Sequence, residues 1–108
     1  MTDKEKLLSL IGLSRRAGKV TIGQDNVFQE LRKKKPLLIL VTEDTSSSVL
    51  RKVHAADDNS VVIELREISR YELGTSLGLN AAQIVSYDLE DGFAAKILKE
   101  NDRGVADE

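Results

Sequence analysis

Pro36-Leu37-Leu38-Ile39-Leu40-Val41-Thr42-Glu43-Asp44 is the stretch that decides the fold. Leu37 to Val41 is an unbroken apolar run that follows a proline and ends in polar residues. It is of strand length, and far too short to cross a bilayer. A continuous apolar run, rather than an alternating one, predicts a central strand covered on both faces. Pro36 closes whatever precedes it, because the residue before a proline is pushed out of helical geometry.

On the N-terminal side, Val27, Phe28 and Leu31 fall at helical spacing, so a helix runs from about Gln24 to Lys34. Before it, Lys19-Val20-Thr21-Ile22 is short and β-like, and Gly23 begins the new element. Leu7, Leu8 and Ile11 form one face of a first helix, with Thr2 or Asp3 as its N-cap and Gly18 as its stop. On the C-terminal side, Thr45 or Ser46 can cap a helix carrying Val49, Leu50 and Val53. Asp57-Asp58-Asn59-Ser60 is a turn cluster. Val61-Val62-Ile63-Glu64-Leu65 is a strand. Ser69 caps a short helix from Arg70 to about Leu77 that stops at Gly78. Ile84-Val85-Ser86-Tyr87 is another strand. Asp88 or Asp91 opens a last helix with Phe93, Ala94, Ile97 and Leu98 on its apolar stripe. The polar tail, residues 101–108, is expected to fray. The order α-β-α-β-α-β-α-β-α, with no linker or repeat, predicts an α/β protein. Its expected architecture is a three-layer α/β/α sandwich around a small sheet of about four strands, with residues 1–108 as a single domain.

Hydrophobic residues make up 41% of the 108 and charged residues 31%, which fits neither a disordered chain nor a membrane protein. There are no cysteines, so disulfides, thiolate metal sites and cysteine catalysis are excluded. The start, Met1-Thr2-Asp3-Lys4-Glu5-Lys6, lacks the basic opening and apolar middle of a signal peptide, and a cytoplasmic location is expected. Net charge is −2 but unevenly placed. Residues 1–36 carry nine Lys/Arg against four acids, a net of +5, whereas residues 37–108 carry a net of −7. If that segregation persists in space, one face can meet phosphates and another cannot. The plainer alternative is that these charges coat solvated helices.

Several patterns imitate catalytic sites. Gly74-Thr75-Ser76-Leu77-Gly78 matches G-x-S-x-G, but a nucleophile elbow needs a strand before its serine and a histidine later in the chain. Here the pattern falls in a short helix, and the single histidine, His54, comes earlier. Gly74 and Gly78 then read as close packing and a helix stop. His54 has no partners at metal-ligand spacing and reads as a helix-surface residue. Asp57-Asp58 reads as a turn cap. Glu43-Asp44 follows a buried strand, where open α/β sheets hold ligands, although capping explains it as well. There is no P-loop and no G-x-G-x-x-G.

A set of short segments in fixed order carries a family resemblance. It comprises Leu10-Ile11-Gly12-Leu13-Ser14-Arg15-Arg16-Ala17-Gly18-Lys19, Gly23-Gln24-Asp25-Asn26-Val27, Val41-Thr42-Glu43-Asp44, Glu72-Leu73-Gly74 and Gly78-Leu79. Together they resemble the ribosomal protein L7Ae family, and most closely its small stand-alone bacterial members. The similarity runs from about Lys6 to Leu98. It implies a mixed sheet and a non-enzymatic, ribosome-associated protein that binds structured RNA, either rRNA or a kink-turn with tandem sheared G·A pairs. It implies no cofactor, metal, membrane or DNA, and a monomer is expected.

The resemblance places RNA recognition at Gly23, Gln24, Asp25, Asn26 and Gln29. A second RNA-facing loop matches Leu79-Asn80-Ala81-Ala82-Gln83. Arg15, Arg16, Lys19 and Lys33, with Lys34 and Lys35, would meet phosphates. The physics is consistent: a helix N-terminus presents unpaired N–H groups to anions, and Gln24 and Asn26 offer paired donors and acceptors to base edges. Three positions depart from the family pattern. Asp25 stands where Asn is usual, Asn26 where Glu is usual and Gln29 where Lys is usual, and the second loop is shorter. A second reading therefore stays open, a protein-interaction module on the same fold. A third is a small-molecule or nucleotide enzyme using Glu43 and Asp44.

Overall fold

The computed structural model describes residues 1–56 and 59–106, with side chains in the last helix described as far as Asp102. Nine elements follow one another: α1 (Asp3–Arg16), β1 (Thr21–Ile22), α2 (Gln24–Arg32), β2 (Leu37–Val41), α3 (Ser47–Ala56), β3 (Val61–Glu64), α4 (Arg70–Ser76), β4 (Ile84–Asp88) and α5 (Gly92–Ala106). The four strands form one mixed sheet in the order β1-β4-β2-β3. β2 runs parallel to β3 and antiparallel to β4, and β1 pairs antiparallel with β4.

The apolar run is the central strand that its composition predicts. Every residue of β2 is buried, and successive side chains point to opposite faces. Leu38 and Leu40 join Leu7, Ile11, Leu73, Leu77 and Ile97 beneath α1, α4 and α5. Leu37, Ile39 and Val41 join Val27, Leu31, Val49 and Val53 beneath α2 and α3. Burying each such side chain contributes about 1.5–3 kcal/mol, so this strand anchors both layers.

The helix starts follow from their caps. Thr2 forms a capping box with Glu5, and Ser69 forms one with Glu72. Ser46 Oγ accepts from the Val49 N–H, and Asp91 Oδ1 accepts from the Phe93 N–H. Helix ends differ from expectation in two places. α2 stops at Arg32, before the expected Lys34, because Lys34 turns left-handed at φ 59°. α5 continues through Ala106, across part of the tail expected to fray; that stretch contains no proline to stop it. Asp57 and Asp58, read as turn residues, lie outside the described residues, as do Asp107 and Glu108.

Topology brings three connections to one end of the sheet. The C-terminal ends of β1 and β2 and the start of β4 meet there, since Ile22 pairs with Val85 and Val41 with Ile84. This is the edge at which open α/β sheets hold their ligands.

Candidate nucleic-acid interface

α2 begins at Gly23, whose φ of 92° and ψ of 151° only glycine adopts without strain. Its N–H donates to the Ile84 carbonyl at 3.0 Å. No side chain caps this helix. Gln24, Asp25 and Asn26 are exposed in its first turn, so unpaired backbone donors and the positive end of the helix dipole face outward. Asn26 Nδ2 donates to the Ile22 carbonyl at 2.9 Å, which fixes its amide across the turn. Gln29 is exposed further along the helix.

The Gly23–Ile84 bond also sets α2 beside the second loop, which ends where β4 begins. Leu79, Asn80 and Ala81 are exposed, yet the backbone beneath them is firmly tied. The Leu79 N–H donates to the Gly74 carbonyl at 2.8 Å, and the Ala82 N–H to the Arg70 carbonyl at 2.9 Å. Gly74 lies so close that a Cβ there would stand 2.6 Å from Ala81 Cα. Gln83 joins this loop to the one after β2. Its carbonyl accepts from the Thr42 N–H at 3.0 Å and from Thr45 Oγ1 at 3.1 Å, and its Oε1 accepts from the Ser46 N–H at 3.0 Å.

Asp44 completes the tie. Its Oδ1 accepts from the Arg70 N–H at 2.9 Å, its Oδ2 accepts from Arg70 Nε at 3.3 Å, and its carbonyl accepts from Arg70 Nη2 at 2.5 Å. Its carboxyl is held below the ordinary carboxylate value, first by hydrogen bonding from Thr42 and then by the Arg70 N–H and guanidinium, against a counteracting burial effect. Asp44 thus caps α4, an element distant in sequence, and its carboxylate is committed. Glu43 borders an open hollow of about 710 Å³ that also has Glu64 and Glu67 on its lining, a poor setting for phosphates.

The basic residues divide. Arg15 donates from Nη1 to the Leu77 carbonyl at the end of α4, where a cation complements the helix dipole. Arg16 is exposed and lines a hollow with Thr75 and Ser76 of the same helix. Arg15 therefore reaches the turn before the second loop, whereas Arg16 borders α4. Lys19 and Lys33 are not brought to this cluster. Lys19 pairs with Asp91 at 3.9 Å, beyond the other end of β4. Lys33 sits at the far end of α2 and pairs with Glu30 at 2.6 Å.

The catalytic imitations resolve as geometry. Ser76 lies within α4 and donates to the Leu73 carbonyl at 2.7 Å. His54 is exposed on α3. Among the described residues no group of three or more His, Cys, Asp or Glu could hold a metal ion, and no helix is long and apolar enough to cross a membrane.

The family model described as "Ribosomal protein L7Ae/L30e/S12e/Gadd45 family" matches residues 5–98. The chain belongs to the L7Ae family. It is 38% identical over 89 residues to a protein of Bacillus subtilis (strain 168) named RNA-binding protein YlxQ, a match covering 82% of this chain and 88% of that protein. A protein of the same name from Enterococcus faecium is 33% identical over 94 residues, covering 87% and 89%. Solved structures share the fold. One, of a Bacillus halodurans protein with unknown function, aligns with a TM-score of 0.73 at 22% identity, covering 90% of this chain and 97% of that one. Another, the Giardia lamblia 15.5kD RNA binding protein, aligns with a TM-score of 0.68 at 17% identity, covering 96% and 88%. This L7Ae-family chain thus has the mixed sheet that the resemblance implied.

Sequence reasoning missed the ties. No sequence pattern pairs Arg70, Thr42, Thr45 and Ser46 with their partners, which lie 26 to 41 residues away. Only the strand pairing that stacks the three connections reveals them.

Proposed function

We propose that this protein binds structured RNA without catalysing a reaction, and that its ligand is a kink-turn or a similarly bent duplex. The observation that carries the reading is the Gly23–Ile84 hydrogen bond, which holds the uncapped start of α2 beside the exposed residues Leu79, Asn80 and Ala81. A bent duplex offers both a groove edge and an extruded base at one place, and this surface has a counterpart for each. Gln24 and Asn26 supply donors and acceptors to base edges, and Asp25 accepts from a guanine edge. Leu79 and Ala81 give an apolar seat for an unstacked base. Arg16 contacts phosphates from beside α4, while Arg15 braces the end of that helix. The two bacterial relatives named as RNA-binding proteins support the reading, as does the Giardia lamblia structure. We place the protein in the cytoplasm as a monomer, associated with rRNA or the ribosome.

The test is titration of a fluorescent kink-turn hairpin beside a control lacking the G·A pairs, at two salt concentrations. The reading expects tight binding to the kink-turn alone, weakened by salt as counterion release requires. Equal binding to both hairpins, or none, would mean that the recognition surface serves a protein partner instead. Restoring Asn, Glu and Lys at positions 25, 26 and 29 would then create kink-turn binding where none existed.

A further inference from the structure

The seam between α2 and α3 holds a groove that the site above does not use. It has a volume of about 1140 Å³. One wall carries the partly buried aromatic side chain of Phe28, and the wall opposite is lowered by Ala55 and Ala56 of α3. Arg32, Lys34 and Lys52 line it as exposed cations. None of these three has an ion-pair partner among the described residues. Asp25 is the single acid among the described residues of the lining. The described lining therefore combines an aromatic surface with a local excess of unpaired positive charge, in a molecule whose net charge is −2.

We propose that this groove binds a single-stranded nucleic-acid segment continuous with the RNA held at the start of α2. Single-strand sites combine these two features: a base stacks on the aromatic ring while cations track the phosphates, with little demand on sequence. Asp25 and Gln29 belong both to the α2 surface and to the groove lining, so a strand leaving the first passes into the second. Arg32 lies about 10 Å further along the helix, enough for the chain to advance past Phe28 to the cations. An acidic peptide would meet the same charges, but it has no comparable reason to start at the end of the groove that α2 shares. The proposal deepens the RNA-binding reading and rests on it only for the continuity of the strand.

The experiment is an anisotropy titration of the full chain with a fluorescent oligouridylate over a range of salt. The Arg32→Gln/Lys52→Gln double variant is expected to bind it more weakly, with a log–log salt slope smaller by about 1.4, as loss of two phosphate contacts on a single strand requires. Phe28→Leu is expected to weaken binding with the slope unchanged. A blunt kink-turn hairpin is expected to bind the double variant as it binds the parent. Absent oligouridylate binding, or binding indifferent to the double substitution, overturns the proposal. So does an oligoglutamate peptide that binds, and loses binding in the double variant, where the oligouridylate does not bind at all. If the blunt hairpin fails to bind while oligouridylate binding stays sensitive to Arg32 and Lys52, the kink-turn reading falls and the groove assignment stands.

Discussion

The two halves of the proposed RNA surface are held in opposite ways. The start of α2 is open: it is anchored by one backbone bond to Ile84, and no side chain satisfies its first-turn donors. By contrast, α1 and α4 close their starts with capping boxes, and α3 and α5 use Ser46 and Asp91. The second loop is closed from beneath, with bonds to Gly74 and Arg70, contact with Gly74, and the bridge through Gln83 to the β2 loop. Unspent donors suit a surface that reads polar groups. A rigid backbone suits one that offers a fixed seat to a base, because little ordering remains to be done on binding. The contrast suggests that binding strength at the first half comes from hydrogen bonds made to RNA, and at the second from shape already in place.

Five changes test that contrast, in decreasing order of effect. Gly74→Val drives a side chain into the Ala81 backbone, where even a Cβ would stand 2.6 Å away. Urea unfolding is expected to show a loss of about 3 kcal/mol, with RNA affinity falling as well. Gly23→Ala forces a Cβ into a backbone region that glycine alone occupies easily, although it has open space around it. The expected stability loss is about 2 kcal/mol. Its signature on RNA is lost discrimination between the kink-turn and the control, not a uniform weakening.

Arg15 and Arg16 separate support from contact. Arg15→Ala is expected to cost about 1 kcal/mol and to speed amide exchange at Leu79 and Ala82, because the Leu77 carbonyl loses its donor. Arg16→Ala is expected to leave both unchanged. It should instead reduce the salt slope of duplex RNA binding by about 0.9 for the phosphate contact it removes. Identical behaviour of the two variants would contradict the division.

The smallest effect is on acid stability. Asp44 has a lowered folded-state pKa, so its contribution is complete above the unfolded value of about 3.9 and is lost as pH falls through the folded one. Glu72 behaves alike, held low first by its ion pair with Lys4 and then by the Ser69 N–H. Asp44→Asn is expected to flatten part of the stability decline below about pH 4. Amide exchange below pH 4 should rise first at Leu79 and Ala82 and not at Val27, whose N–H is bonded to the Gly23 carbonyl, since Asp44 holds the start of α4 on which the second loop rests.

Much of the fold is legible in the sequence because its signals are local. Leu37 to Val41 reads as a doubly covered strand, Thr2 and Ser69 read as caps, and Gly18 and Gly78 read as stops; their φ values of 70° and 72° agree. Gly74 reads as close packing, and the contact with Ala81 is that packing. The site is less legible because its ties are long-range. The basic residues form one group in the sequence, yet Arg15 is turned to a carbonyl, Lys19 is drawn to the distant Asp91 and Lys33 to its neighbour Glu30. Asp44 reads as a cap for the helix that follows it, but the strand order swings it to α4. Only the partner's position in space, not residue type, distinguishes these cases. Ser86 shows the same limit: it sits mid-strand, buried, and its hydroxyl has no hydrogen-bond partner among the described residues.

The central claim is that the start of α2 and the second loop act as one surface. It is tested most directly by following backbone amide shifts while kink-turn RNA is added. The account predicts that Gln24, Asp25, Asn26, Leu79, Asn80 and Ala81 shift together and saturate at the same RNA concentration. Shifts confined to one of the two segments, or two segments saturating at different concentrations, would contradict it.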